Sequence, residues 1–166
     1  MDFQIALILG QDGITNGAIY ALLALALVLV FAVTRVIFIP QGEFVAYGAL
    51  TLAMIGNGVL PATVWLLLGA GLAVAALDGT GALRAGQARR LGPILALNVG
   101  YPLLMLAALK SLPLGELGLA VQVLLTLLVV VPLGPMMYRI VFQPIAEATV
   151  LVLLIVSVAS HVAMVG

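Results

Sequence analysis

The chain reads as an all-α protein, a polytopic transmembrane helical bundle with about six membrane segments, and three observations predict this. Hydrophobic residues make up 65% of the 166 and charged residues 7%, with a mean hydropathy of +1.36, a surface no water-soluble domain of this size would tolerate. The apolar runs are continuous rather than alternating, which in a bilayer means helices, because a helix satisfies its backbone N–H and C=O groups internally. Isolated charges and Pro/Gly clusters cut these runs into lengths that suit a hydrocarbon core of about 30 Å.

Residues 3–10 are apolar but too short to span, and read as an interfacial lead-in or an extra turn packed on the bundle. The first span covers about 14–33, within 22 uncharged residues between Asp12 and Arg35. Asn16 and Tyr20 give it a polar end, and Gly13, Gly17, Ala21 and Ala24 recur at helical spacing. Small residues on one face let another helix approach closely, so these four are helix-packing candidates. Pro40, Gln41, Gly42 and Glu43 open the next helix, since proline and a carboxylate both favour a first turn. From Phe44 to Leu77 no charge occurs for 34 positions, and Asn57-Gly58 with Pro61 marks a turn between two short segments, about 43–57 and 61–77. Each would cover about 24 Å. They read as a tight hairpin in a thinned bilayer, with re-entrant helices as the alternative.

Asp78 to Gly92 is a polar connector carrying Arg84, Arg89 and Arg90. The fourth span, about 93–109, contains Asn98, Gly100 and Pro102, which predict a kink. After a short loop the fifth span, about 117–137, weakens at Pro132 and Pro135. Tyr138 to Glu147 reads as a second connector, with Arg139 a snorkelling boundary residue. The sixth span, about 148–166, includes His161 beside Ser157 and Ser160. If the N-terminus lies outside, Arg35, Arg84, Arg89, Arg90 and Arg139 all face inside and Lys110 alone faces outside, which is the orientation the basic residues favour.

Six basic and six acidic residues cancel, so no basic field points to nucleic acid. No cysteine is present, which excludes disulfides and thiolate chemistry, and a single histidine cannot build a metal site. Acidic residues at positions 2 and 12 argue against a cleaved signal peptide. Glu43, Glu116 and Glu147 lie near span starts with no partner set for catalysis, and no phosphate-binding loop occurs, so no enzyme, cofactor or metal is expected. The polar residues in or beside the spans, Asn16, Tyr20, Gln41, Gly42, Glu43 and His161, are the substrate-pathway candidates. Capping for Glu43 and hydrogen-bonded packing for His161 are the simpler alternatives.

The run Asn16-Gly17-Ala18-Ile19-Tyr20-Ala21-Leu22-Leu23-Ala24-Leu25, with Arg35-Val36-Ile37 and Gln41-Gly42-Glu43-Phe44, resembles the N-terminal signature of LivH-type permeases. These are the membrane subunits of branched-chain amino acid ABC importers. Tyr138-Arg139, Pro144 and Leu151-Val152-Leu153-Leu154-Ile155 resemble a second, weaker block, while 59–130 matches in hydropathy alone. Phe38-Ile39-Pro40 replaces the family's Asn-Phe-Ala step, and Ala26 and Ala32 stand where Gly is usual. The lost Asn removes a polar group and leaves the substrate open between branched-chain amino acids and related small polar solutes.

The resemblance implies a multi-pass subunit of the bacterial inner membrane, paired as a heterodimer with a related permease subunit. It also implies two cytoplasmic ATPase subunits and an external substrate-binding protein. LivH-type subunits are about twice as long, so residues 1–166 are expected to form a single permease domain incomplete at its C-terminal end. The alternative is a small helical membrane scaffold or accessory subunit without a transport path. A proton-coupled carrier ranks last, for want of paired membrane carboxylates.

Overall fold

A computed structural model describes residues 3–87, 89 and 91–165. Among them every regular element is helical and no strand occurs. Six helices follow in order: α1 (Phe3–Thr34), α2 (Gln41–Gly56), α3 (Thr63–Arg84), α4 (Leu91–Ser111), α5 (Leu119–Ile145) and α6 (Val150–Val165). Of these, α1, α3, α4 and α5 are long and apolar enough to cross a membrane, whereas α2 and α6 have 16 residues each. The chain divides into two compact units, residues 1–41 with 148–166, and residues 42–147.

In the first unit α1 runs unbroken for 32 residues and has no buried residue. The apolar stretch before Gly10 forms the exposed first turns of α1. Gly10 and Gly13 are tolerated inside the helix because glycine weakens it by only about 1 kcal/mol. The helix stops at Thr34, whose hydroxyl donates to the Val30 carbonyl (2.7 Å) and accepts the Val36 N–H (3.2 Å). Arg35 then takes a left-handed conformation (φ 56°) and turns the chain. The connector after it is tied to α6, where buried Ser157 donates to the Ile37 carbonyl (2.7 Å) and accepts the Ile39 N–H (2.9 Å).

The second unit is organised around α3. Val64, Leu67, Gly71, Ala75, Gly79 and Ala82 recur three or four apart and are buried, with Val74 beside them, giving one long packing stripe. Around it the core gathers Ile55 of α2, Leu109 of α4, and Leu125, Val129, Leu133 and Met136 of α5. The turn from α2 to α3 falls at Asn57-Gly58. The Val59 N–H bonds the Met54 carbonyl and the Gly58 N–H bonds the Ile55 carbonyl (both 2.9 Å), while Gly58 is left-handed (φ 73°). This Schellman arrangement satisfies the last helical carbonyls and requires a residue without a Cβ penalty. The same bonding ends α3 at Gly86. Thr51 and Thr63 share a buried hydroxyl hydrogen bond (2.7 Å) across the α2–α3 pair.

Two connectors expected from charge are helical. α3 continues through Asp78 to Arg84, so it is 22 residues long rather than a short segment ending at 77. α5 continues through Arg139 to Ile145. The reason is the same for both: Arg139 donates from Nη1 to Asp78 Oδ2, an ion pair that accommodates each charge on the side of a helix. A hydropathy pattern reads each charge as the end of its helix, but a helix can continue past the charge.

The expected kink in α4 is a π-turn over Ala96–Gly100. Pro102 has no N–H to give the Asn98 carbonyl four residues earlier. That carbonyl faces Gly71, and a Cβ built on residue 71 would lie 2.0 Å from Asn98 O and 3.2 Å from Pro102 Cγ. Backbone rather than a flexible side chain occupies the space, so a methyl group there forces the helices apart. Gly71→Ala is expected to destabilise the folded protein by about 1–3 kcal/mol, the usual cost of overpacking. Gly69→Ala, whose added Cβ meets nothing within 4 Å, should be near neutral. Thermal unfolding in detergent, followed by circular dichroism, separates the two.

Candidate binding groove between α4 and α5

Three prolines shape the second unit's cavity. Pro132 and Pro135 interrupt α5, which is α-helical over Leu119–Val130 and again over Leu133–Met137 before a π-turn at Tyr138–Phe142. Pro93 lies in the first turn of α4, just before that helix's own π-turn. Inside α5 each proline removes one backbone donor and its ring crowds the preceding turn, whereas Pro93, in a first turn, costs α4 no intrahelical bond and the irregularity there is the π-turn before Pro102. A groove of about 590 Å³ opens between them, a volume typical of a small-molecule site. Residues 132, 135, 136 and 139 line one side at helical spacing, and 93, 94, 97, 98 and 101 line the other.

The polar groups in this groove have defined work. Pro132 cannot donate to the Leu128 carbonyl, and the Tyr101 hydroxyl takes that place, donating to it at 2.6 Å. Buried Asn98 turns its amide nitrogen onto the Ile94 carbonyl of its own helix (3.0 Å). Pro135 likewise leaves the Val131 carbonyl without its α-helical donor, and the Gly134 N–H fills the vacancy at 3.2 Å. Ile94, Leu97 and Met136 supply apolar walls, and Arg139, paired with Asp78, stands at one end. The groove is thus an apolar slot with one cation at its mouth.

Spacing of polar residues along single spans had pointed elsewhere. Asn16 and Tyr20 are exposed on α1, Tyr20 by 72%. Gly42 is exposed, Glu43 is half-buried in the first turn of α2, and His161 is half-buried on α6, one turn after Ser157. Gln41 donates from Nε2 to the Leu23 carbonyl of α1 (2.7 Å), and its Oε1 is buried with no hydrogen-bond partner among the described residues. None of these six lines the groove.

The expected helix-packing set faces outward too. Cβ atoms on Gly13 and Gly17 would meet nothing within 4 Å, and Ala21 and Ala24 are exposed. Arg35, Arg84 and Arg89 are exposed, and Arg90 lies outside the described residues. The groove-lining positions carried a signal in the sequence that single-span reading did not combine: two apolar segments each interrupted by proline within a few residues of a polar side chain.

The chain matches no protein-family model, no curated protein and no solved structure.

The Tyr101–Leu128 bond gives a coupled prediction. Tyr101→Phe leaves the Leu128 carbonyl short of a donor and should cost about 1 kcal/mol of stability. Pro132→Ala restores a backbone N–H four residues after Leu128, so in that background the cost of Tyr101→Phe should shrink toward zero. A double-mutant cycle on unfolding free energies measures the coupling.

Proposed function

We propose that this chain is a membrane-spanning permease subunit of an ABC importer in the bacterial inner membrane, handling branched-chain amino acids or a related small polar solute. In this reading all six helices belong to the membrane domain, with α2 and α6 as its short segments. The ATP chemistry resides on two separate cytoplasmic ATPase subunits. A related permease subunit completes the pathway and an external binding protein delivers the solute.

One observation carries the reading. The signature-like block is split in sequence, Asn16–Leu25 and Gln41–Phe44, and the Gln41 side chain bonds back to Leu23 within the first part. The amide nitrogen is engaged, which fixes the side chain, while buried Oε1 keeps an open acceptor position. A buried acceptor left without a donor costs about 1–3 kcal/mol, so it is a suitable place for a solute ammonium or amide N–H to bind. The accessory-subunit reading draws on a different fact: Asn16 and Tyr20 project from a helix with no buried residue.

Orientation follows from the second unit's ends. Arg84 closes α3, and Arg139 pairs with Asp78 near that same end; Lys110 lies at the far end of α4, its Nζ 6.0 Å from the Trp65 ring centroid. The arginine-bearing end is the cytoplasmic one by the positive-inside rule. Because the chain has no cysteine, single replacements can be labelled without background. Gln87→Cys should react with an impermeant maleimide only after permeabilisation, and Ser111→Cys in intact cells.

Transport is tested with the chain co-expressed with its partner permease, ATPases and binding protein, measuring uptake of labelled leucine, urea and an aromatic acid. Gln41→Leu is expected to lower uptake of the transported solute about tenfold, equivalent to about 1.4 kcal/mol, with membrane insertion unchanged. Full uptake of every solute by an inserted Gln41→Leu variant would favour the accessory role.

A further inference from the structure

We propose that the groove between α4 and α5 holds one anionic glycerophospholipid, an acyl chain lying in the slot and the phosphate on Arg139. The inference rests on the helices being embedded in a membrane and not on transport, so either can fail without the other.

The surroundings of the groove are those of a lipid-facing surface. Leu97 on its wall is 70% exposed and Val131 beside it 62%. In a bilayer such a surface meets hydrocarbon, and a slot opening onto it fills with acyl chain. The interior favours the same occupant. The Asn98 amide nitrogen and the Tyr101 hydroxyl are both committed to backbone carbonyls, leaving an apolar lining with little to hold a polar solute.

Charge selects the headgroup. The Arg139 side chain is half exposed and commits Nη1 to Asp78, so the rest of its guanidinium fork is open to an anion. Arg84 closes α3 six residues beyond Asp78, and exposed Arg89 lies in the turn that follows. Glu43 in the first turn of α2 and Glu147 just after α5 share this end with Asp78, so the anion's contact is the open part of the Arg139 guanidinium rather than a net positive field. Basic pockets between transmembrane helices on the cytoplasmic side suit anionic lipid headgroups. An apolar slot continuous with a basic mouth matches an amphiphile, whereas free phosphate would engage the mouth alone.

The test is native mass spectrometry of the purified chain in detergent, titrated with phosphatidylglycerol or phosphatidylcholine of identical acyl chains. One phosphatidylglycerol should be retained in preference to phosphatidylcholine. Arg139→Gln should weaken that retention about fivefold, the worth of one cation at an anionic surface, and Arg139→Lys should recover most of it. Asp78→Asn should keep or strengthen binding, because the carboxylate competes for the same guanidinium. Ile94→Trp, which fills the slot and leaves the ion pair intact, should reduce both lipids. Equal retention of the two lipids, insensitivity to both Arg139→Gln and Ile94→Trp, or displacement by excess inorganic phosphate overturns the proposal. Parallel loss of binding and melting temperature in Asp78→Asn and Arg139→Gln would instead make the pair a structural strut, which also overturns it.

Discussion

The second unit depends on the approach of Gly71 to the backbone of Asn98. A helix carbonyl can face a neighbouring helix this closely only where the neighbour has no side chain, and the Asn98 oxygen occupies the space a Cβ on residue 71 would need. Pro102 and the π-turn act on that same carbonyl, one by withholding the α-helical donor and the other by turning the backbone. Between helices in lipid the hydrophobic effect gives little drive to associate, so such close contact carries much of the packing energy. The stripe on α3 is continuous on either side of Gly71, from Val64 to Ala82, so one contact sets how the whole stripe meets α4.

Backbone accounting explains most of what surrounds that contact. In hydrocarbon every carbonyl that a proline deprives of its donor must find another or remain a cost of several kcal/mol. Tyr101 answers Pro132, and the Gly134 N–H answers Pro135. At the far end Gln122 reaches the Leu117 carbonyl (3.0 Å) and steadies the turn before α5. These side chains look like polar intrusions in apolar helices, but each repairs irregular backbone. The groove is the space that the repaired irregularities leave open, which is why its lining is apolar although its neighbourhood is not.

The fold was largely legible in the sequence because its signals are local. Asn57-Gly58 and Pro61 announce a turn through backbone conformation, and the structure turns there, with Gly58 left-handed. Asn98, Gly100 and Pro102 announce a broken helix, and the break is a π-turn. What failed was the reading of Asp78 and Arg139 as connector residues. They are 61 positions apart, and the contact that joins them across two helices is invisible to a reading of one span at a time. The site was less legible for the same reason. Asn16 and Tyr20 stand out within one span, yet both are exposed, whereas the groove needs Pro93, Tyr101, Pro132 and Arg139 from two helices at once.

The contrast between α1 and α3 shows what a bilayer changes. In water a 32-residue apolar helix with nothing buried would be a reason to doubt the fold. In lipid it is stable alone, since its backbone bonds are internal and its side chains match the solvent. Packing is then left to decide position rather than stability, and it is concentrated at few points. For α1 these are polar: the Gln41 amide on the Leu23 carbonyl, and the connector after Thr34 held by Ser157. For α3 the fixed point is steric, at Gly71. A helix fixed by a hydrogen bond can change partners at the cost of exchanging one donor for another, whereas a helix fixed by backbone contact cannot shift without separating. That difference places the adaptable polar contact, Gln41, in the first unit and the unyielding one, Gly71, in the second.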